Sequence, residues 1–452
     1  MLRNIGISML FFCASAAFAE APFPSTYEPI NAGPTLLRNA TILTGDGQRL
    51  DAADLLLADG VIQWVGSGEV PAGTEEIDAS GRWVTPGLID VHSHLGVYPS
   101  PGVDAHSDGN ELTSPATPNI WAEHSVWPQD PGFARALAGG VTTLQVLPGS
   151  GNLFGGRGVT LKNVYSTSYQ GMKFPGAPHG LKMACGENPK RVYGQRNQAP
   201  STRMGNVAQY RAEWIAAQDY MARWERYRTK AEKGDEDAVA PVRDLKLETL
   251  AGVLRGEIIV HMHCYRADEM MTILGLAEEF DYRIGTFHHA VEAYKIADEL
   301  AENQVCGALW ADWWGFKMEA YDGIQENIAL VDRPQNSCAI VHSDSPEGIQ
   351  RLNQEAAKAM GKGNRAGLDI TPEHAIGWIT RNAARSLGID AVTGTLAPGK
   401  MADVVVWSGN PFSVYSKADL VFVDGALMYD RADPALQPVS DFELGQLPEV
   451  AR

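Results

Sequence analysis

The sequence predicts an α/β fold, a TIM-like (β/α)8 barrel with a small β-sandwich domain built from both chain ends. Three features lead there. Short apolar runs alternate with helical segments through 86–388. Both flanks, 34–85 and 389–432, are short strands broken by tight Asp-Gly turns. Histidines gather where the middle strands end.

At 452 residues the chain exceeds one ordinary domain but suits a barrel with an appendage. The 44% hydrophobic and 20% charged shares are those of a globular protein. A net charge of −18 disfavours nucleic acid and anionic membrane surfaces as partners. Residues 1–19 read as a signal peptide, with Arg3 at its start, an apolar run over 5–14 and the small-x-small end Ala17-Phe18-Ala19. Cleavage there predicts an exported protein, periplasmic or secreted. No membrane anchor is expected afterwards, because spanning takes about 20 apolar residues. Cys185, Cys264, Cys306 and Cys338 remain, scattered and without C-x-x-C spacing. Neither a disulfide framework nor a zinc ribbon is therefore expected.

In the first flank, 54–57 runs through Asp59-Gly60 into 61–65, which reads as a hairpin. The second flank repeats this texture at 402–407 and 421–425, and 433–452 reads as a tail. The barrel opens with Leu88-Ile89-Asp90-Val91, a buried strand admitted by the turn Pro86-Gly87. Further strands are expected at 141–147, 180–185, 258–261, 283–287, 307–310 and 339–342. Residues 206–255 read as a helical insertion, whose Tyr210, Trp214, Tyr220, Trp224 and Tyr227 are packing residues at helical spacing. The glycine-rich stretch 149–158 lacks the Lys-Ser/Thr of a phosphate loop. It reads as a flexible loop at the barrel mouth, with Arg157 a candidate substrate contact.

The chemistry begins at His92 and His94, two residues apart at the end of the first barrel strand. Strand geometry puts them on one face, and neutral imidazoles are common metal ligands. His261 and His263 end a later strand, His288 and His289 the next, and His342-Ser343-Asp344 the last. Barrel enzymes draw their catalytic groups from such C-terminal strand ends. A catalytic metal needs two or three ligands and an open position, where it lowers the pKa of a water for a carboxylate to deprotonate. Asp344 suits that task.

Thr85-Pro86-Gly87-Leu88-Ile89-Asp90-Val91-His92-Ser93-His94 resembles the first-strand signature of the metal-dependent amidohydrolase superfamily. Gly394-Thr395-Leu396-Ala397-Pro398-Gly399-Lys400-Met401-Ala402-Asp403 resembles the stretch by which such chains return to their β-domain. The likeness covers about 35–430 and is nearest to the imidazolonepropionase-like branch. It implies His92 and His94 as first-strand ligands, His261 as the fifth-strand ligand, His289 as the sixth, and Asp344 as eighth-strand ligand and general base. It also implies a carboxylated lysine bridging two metals, at Lys182. Glu187 at the same strand end is the rival bridge, and with neither the site would hold one ion. His263 is expected to stabilise developing charge. Tyr265, Arg266 and His342 are expected on the substrate side.

The activity so implied is cleavage of a C–N bond by metal-activated water, in a cyclic amide, an N-acyl amino acid or a dipeptide. The partner is a small molecule, and the sequence leaves homo-oligomerisation open. Zinc is the default ion for histidine and carboxylate ligands, with manganese, iron and cobalt also compatible. Two alternatives stand beside this. A deaminase of the same superfamily usually carries a glutamate three residues after the fifth-strand histidine, where this chain has Cys264. A catalytically silent barrel scaffold has no need of the ligand set.

Overall fold

The computed structural model describes residues 22–437 except residue 314. The expected signal peptide, 1–19, and residues 438–452 of the expected tail lie outside them. No described helix is long and apolar enough to cross a membrane.

Five strands open the described chain: β1 (Thr35–Leu43), β2 (Arg49–Ala58), β3 (Val61–Gly66), β4 (Glu75–Asp78) and β5 (Trp83–Pro86). Eight follow: β6 (Leu88–Ser93), β7 (Val141–Val146), β8 (Phe154–Lys162), β9 (Gly180–Ala184), β10 (Ile259–Cys264), β11 (Ile284–His289), β12 (Cys306–Leu309) and β13 (Ala339–Val341). Three close the chain: β14 (Val404–Trp407), β15 (Ala418–Val423) and β16 (Ala426–Asp430).

The first five and last three strands share one sheet, in the order β16-β15-β14-β5-β1-β2-β3, with β4 paired to β1. Both of its two-residue hairpin turns are Asp-Gly. Asp59 and Gly60 have φ of 56° and 76°, and Asp424 and Gly425 have 47° and 77°. Those left-handed pairs match the twist of the strands they join.

β6 to β13 form the barrel sheet in chain order. β6, β7 and β9 are buried along their whole length, as expected of barrel strands covered on both faces. Gly87 leads into β6, and a Cβ there would lie 2.1 Å from Thr142 Oγ1. No ladder joins β13 to β6, but Asp344 N–H donates to His92 O at 3.0 Å across that gap. Below it, Asp90 Oδ1 accepts from the backbone of both His92 and Ser343 at 3.2 Å.

Two expectations are corrected here. The stretch 149–158 is not wholly a loop: residues 154–158 lie in β8, which runs antiparallel to β7 and β9. The short connection from Val146 to Phe154 holds no crossover helix, so the chain turns back on itself. The four cysteines are also paired, as Cys185–Cys264 and Cys306–Cys338. Neighbouring barrel strands bring together residues 79 and 32 positions apart in the chain.

Among the helices, α1 (Pro131–Ala138) precedes β7, while α2 (Glu187–Gly194), α3 (Arg203–Glu232) and α4 (Leu245–Leu254) all lie between β9 and β10. Tyr210 and Trp214 of α3 are buried and meet Phe154 of β8 edge-on, at 5.4 Å between ring centroids for each pair. These aromatics hold the long helix to the barrel wall.

Candidate metal centre

The stitching of β13 to β6 brings the last strand's carboxylate onto the first strand's histidines. Asp344 Oδ1 lies 3.1 Å from His94 Nε2 and 3.5 Å from His92 Nε2. His289 Nε2 lies 3.9 Å from Asp344 Oδ2. The ligand atoms of His92, His94 and Asp344 fall within 4.8 Å of one another, as do those of His92, His289 and His342. His289 and Asp344 have φ of 69° and 50°, in the left-handed region that non-glycine residues adopt uncommonly. Such strain persists where surrounding structure imposes it, and it clusters at functional sites. At His289 it also breaks the strand alternation, so His288 and His289 both reach the cluster.

The protonation states suit a cation. Burial holds His92 and His289 well below the usual histidine range and pushes His342 down to about 3, so these rings are neutral. His94 Nδ1 lies 2.8 Å from Leu147 O, a carbonyl that can only accept. Nδ1 therefore carries a proton, which leaves Nε2, 3.1 Å from Asp344 Oδ1, as the nitrogen that would ligate an ion. Burial alone would raise Asp344, but the His94 hydrogen bond and the nearby Lys182 ammonium outweigh it and hold the carboxyl below its ordinary value. Lys182 is fully buried, with Nζ 3.1 Å from His92 Nε2. Burial brings its ammonium down to about 7, against an opposing pull from Asp344.

A divalent ion fits these residues. His263 Nδ1, His289 Nδ1 and both ring nitrogens of His342 are buried without a hydrogen-bond partner. Buried polar atoms are rarely left so. Unpartnered neutral imidazoles converging beside a carboxylate make a ligand set for zinc-like ions. A cavity of about 660 Å³ opens onto it, lined by His92, His94, His263, His289 and Asp344 together with Ser150, Asn188 and several aromatics.

The other expected residues fall in different places. His261 does not line the cavity: its Nδ1 is 2.9 Å from His288 Nε2 and its Nε2 is 3.2 Å from Gln145 Nε2. Both ring nitrogens are engaged, so it is His263, one pleat further along β10, that faces the cavity. Glu187 begins α2 and pairs with Lys317 at 3.3 Å, apart from the histidine cluster, whereas Lys182 touches it. Arg157 lies against Trp121, 4.2 Å from its ring centre, and donates to Thr249 Oγ1 at 2.9 Å. It braces the barrel wall and does not line the cavity. Arg266 is tied to Asp268 at 2.9 Å and is likewise outside the cavity lining, while Tyr265 belongs to it. Trp310, Trp313 and Phe316 line the cavity and were missed. Their signal was available, since they follow directly on β12 and strand ends face the mouth.

Residues 324–430 match the amidohydrolase family model. The crystal structure of an amidohydrolase from Thermotoga maritima MSB8 superposes with a TM-score of 0.80 at 35% identity, covering 88% of this chain and 100% of that one. The chain belongs to the metal-dependent amidohydrolase superfamily. This amidohydrolase is also 32% identical over 441 residues to amidohydrolase tasK of Hapsidospora irregularis, spanning 89% of this chain but only 44% of that protein. A D-hydantoinase of Rhizobium radiobacter is 50% identical over 60 residues, 13% of this chain and 12% of that one.

Proposed function

We propose that this amidohydrolase opens the C–N bond of a small amide, with a cyclic amide, an N-acyl amino acid and a dipeptide as the substrate types to compare. The observation that carries the reading is the Asp344 carboxylate, 3.1 Å from His94 and with 22% of its side-chain surface open to the cavity. A short local likeness to a hydantoinase supports the cyclic amide.

A divalent ion bound here supplies Lewis acidity toward the carbonyl and makes water nucleophilic near neutral pH. His92, His94 and Asp344 would hold one ion, and His263 and His289 a second, with carboxylated Lys182 shared between them. His263 thus takes the fifth-strand place first given to His261, and its role passes from charge stabiliser to ligand. Asp344 accepts a proton from the attacking water and passes it to the leaving nitrogen. Tyr265 and the aromatic side of the cavity orient the substrate. Zinc is the proposed ion, on the chemistry of the donors.

We also propose export to an oxidising compartment. The apolar leader sequence supports it, and so does the pairing of all four cysteines beyond it.

The test is reconstitution. Chelator-stripped protein, titrated with zinc or manganese, should gain hydrolysis of a hydantoin-type ring or an acyl amino acid in step with one to two bound equivalents. Full metal loading with no C–N cleavage across the panel would refute the reading.

A further inference from the structure

One part of the cavity lining is aromatic and has no role in holding metal. Trp310 lies on His289, with ring centroids 4.2 Å apart and planes 24° from parallel. Trp313 lies on Trp310 in turn, at 5.4 Å and 29°. The stack therefore runs from a cluster imidazole out to the mouth. Phe316 meets Trp310 edge-on at 5.7 Å, and Tyr265 lies 6.1 Å from it. Trp310 is anchored, since its indole N–H donates to Ser343 O at 3.3 Å. Trp313 and Phe316 remain 42% and 57% exposed, so apolar ring surface faces solvent at the mouth.

The charges at this place narrow the ligand further. Among the described residues lining the cavity there is no lysine or arginine, and two carboxylates, Asp312 and Asp344, are present. Lys317, beside the lining, is already held by Glu187 at 3.3 Å and Asn188 Oδ1 at 3.0 Å, with its ammonium over the Tyr265 ring at 4.2 Å, and Lys358 is paired with Asp312 at 2.8 Å. Against Trp313 and Phe316 an anionic group would meet no unpaired lysine or arginine among the lining residues. A flat uncharged ring would instead gain stacking surface on Trp313 and edge contacts from Phe316.

We propose that Trp310, Trp313, Phe316 and Tyr265 form a subsite for an uncharged aromatic ring carried by an amide substrate. The bond cut depends on the hydrolase reading above; ring binding does not. Calorimetric titration of the metal-loaded Asp344→Asn protein with 5-phenylhydantoin and 5-methylhydantoin separates the two claims. The phenyl compound should bind about tenfold more tightly than the methyl one. Trp313→Ala and Phe316→Ala, changes at partly exposed positions, should each shrink the phenyl-to-methyl ratio toward one. Equal affinity for phenyl and methyl rings, or binding of neither, overturns the subsite. Ring preference in a protein that cleaves neither of them as wild type keeps the subsite and refutes the hydrolase reading. Cleavage without ring preference does the reverse.

Discussion

His92 Nδ1 and His288 Nδ1 lie 2.9 Å apart, and that contact begins a buried chain of imidazoles. From His288 Nε2 it continues to His261 Nδ1 at 2.9 Å, and from His261 Nε2 to the Gln145 amide at 3.2 Å. If His92 offers its Nε2 lone pair to a cation, its proton sits on Nδ1 and donates to His288. Each ring then donates onward, and Gln145 must present its oxygen to His261. Gln145 Oε1 is otherwise a buried acceptor with no partner, which a flip of the amide would cure. Gln145→Leu should weaken metal retention about 10–100-fold, while Gln145→Glu, which keeps the acceptor, should retain it. Metal per chain after dialysis against a graded chelator series measures both.

Lys182 gives a prediction with a pH sign. Its folded-state value of about 7 lies below the ordinary 10.5. Between those values the unfolded chain holds more protons, so in metal-free protein this group adds stability as pH rises through the window. The neutral amine that reacts with CO2 is the majority form only above about 7. Bicarbonate-dependent metal uptake should therefore rise as pH passes upward through 7, with ¹³C-bicarbonate giving a carbamate signal. Lys182→Ala should lose that signal and bind at most one ion. Unchanged metal content in Lys182→Ala would remove the bridge.

Cys185–Cys264 joins the strand end beyond Lys182 to the residue after His263. Mature protein denatured without reductant should present no free thiol. Replacing both cysteines by alanine should cost about 2–4 kcal/mol in urea unfolding, since the bond closes a long loop in the unfolded chain.

Glu123 is buried beside Lys173 at 2.7 Å and His179 at 3.1 Å. Burial pushes its carboxyl up, but these two partners outweigh it and leave the value below the usual 4.5. Its contribution to stability is then complete above pH 4.5 and is lost as pH falls through the depressed folded value. Glu123→Gln should destabilise the protein by about 3–5 kcal/mol at pH 7, because Lys173 is left buried without its partner. The gap from wild type should narrow in acid, as followed by urea unfolding at several pH values.

Much of this arrangement was legible in the sequence, for a geometric reason. Strand period puts His92 and His94 on one face, and the C-terminal ends of barrel strands converge. Depth along the barrel axis is not legible: His261 and His263 share a face, and only the packed structure separates the buried relay ring from the one at the cavity. Lateral neighbours are equally hidden, as with Cys306 and Cys338, whose strands touch although their sequence gap suggests no pairing. β8 was obscured by its glycines. Gly155, Gly156 and Gly158 read as a loop, yet a Cβ at Gly156 would lie 2.3 Å from Ile120 O, so close backbone packing explains that one.

Asp344 moves the proton in the proposed C–N hydrolysis. The direct measurement is kcat for Asp344→Asn, reconstituted and compared with wild type at equal metal content. A fall of about 10²–10⁴-fold is predicted, the usual share of a general acid–base group. Wild-type turnover by a fully loaded Asp344→Asn protein would contradict the account.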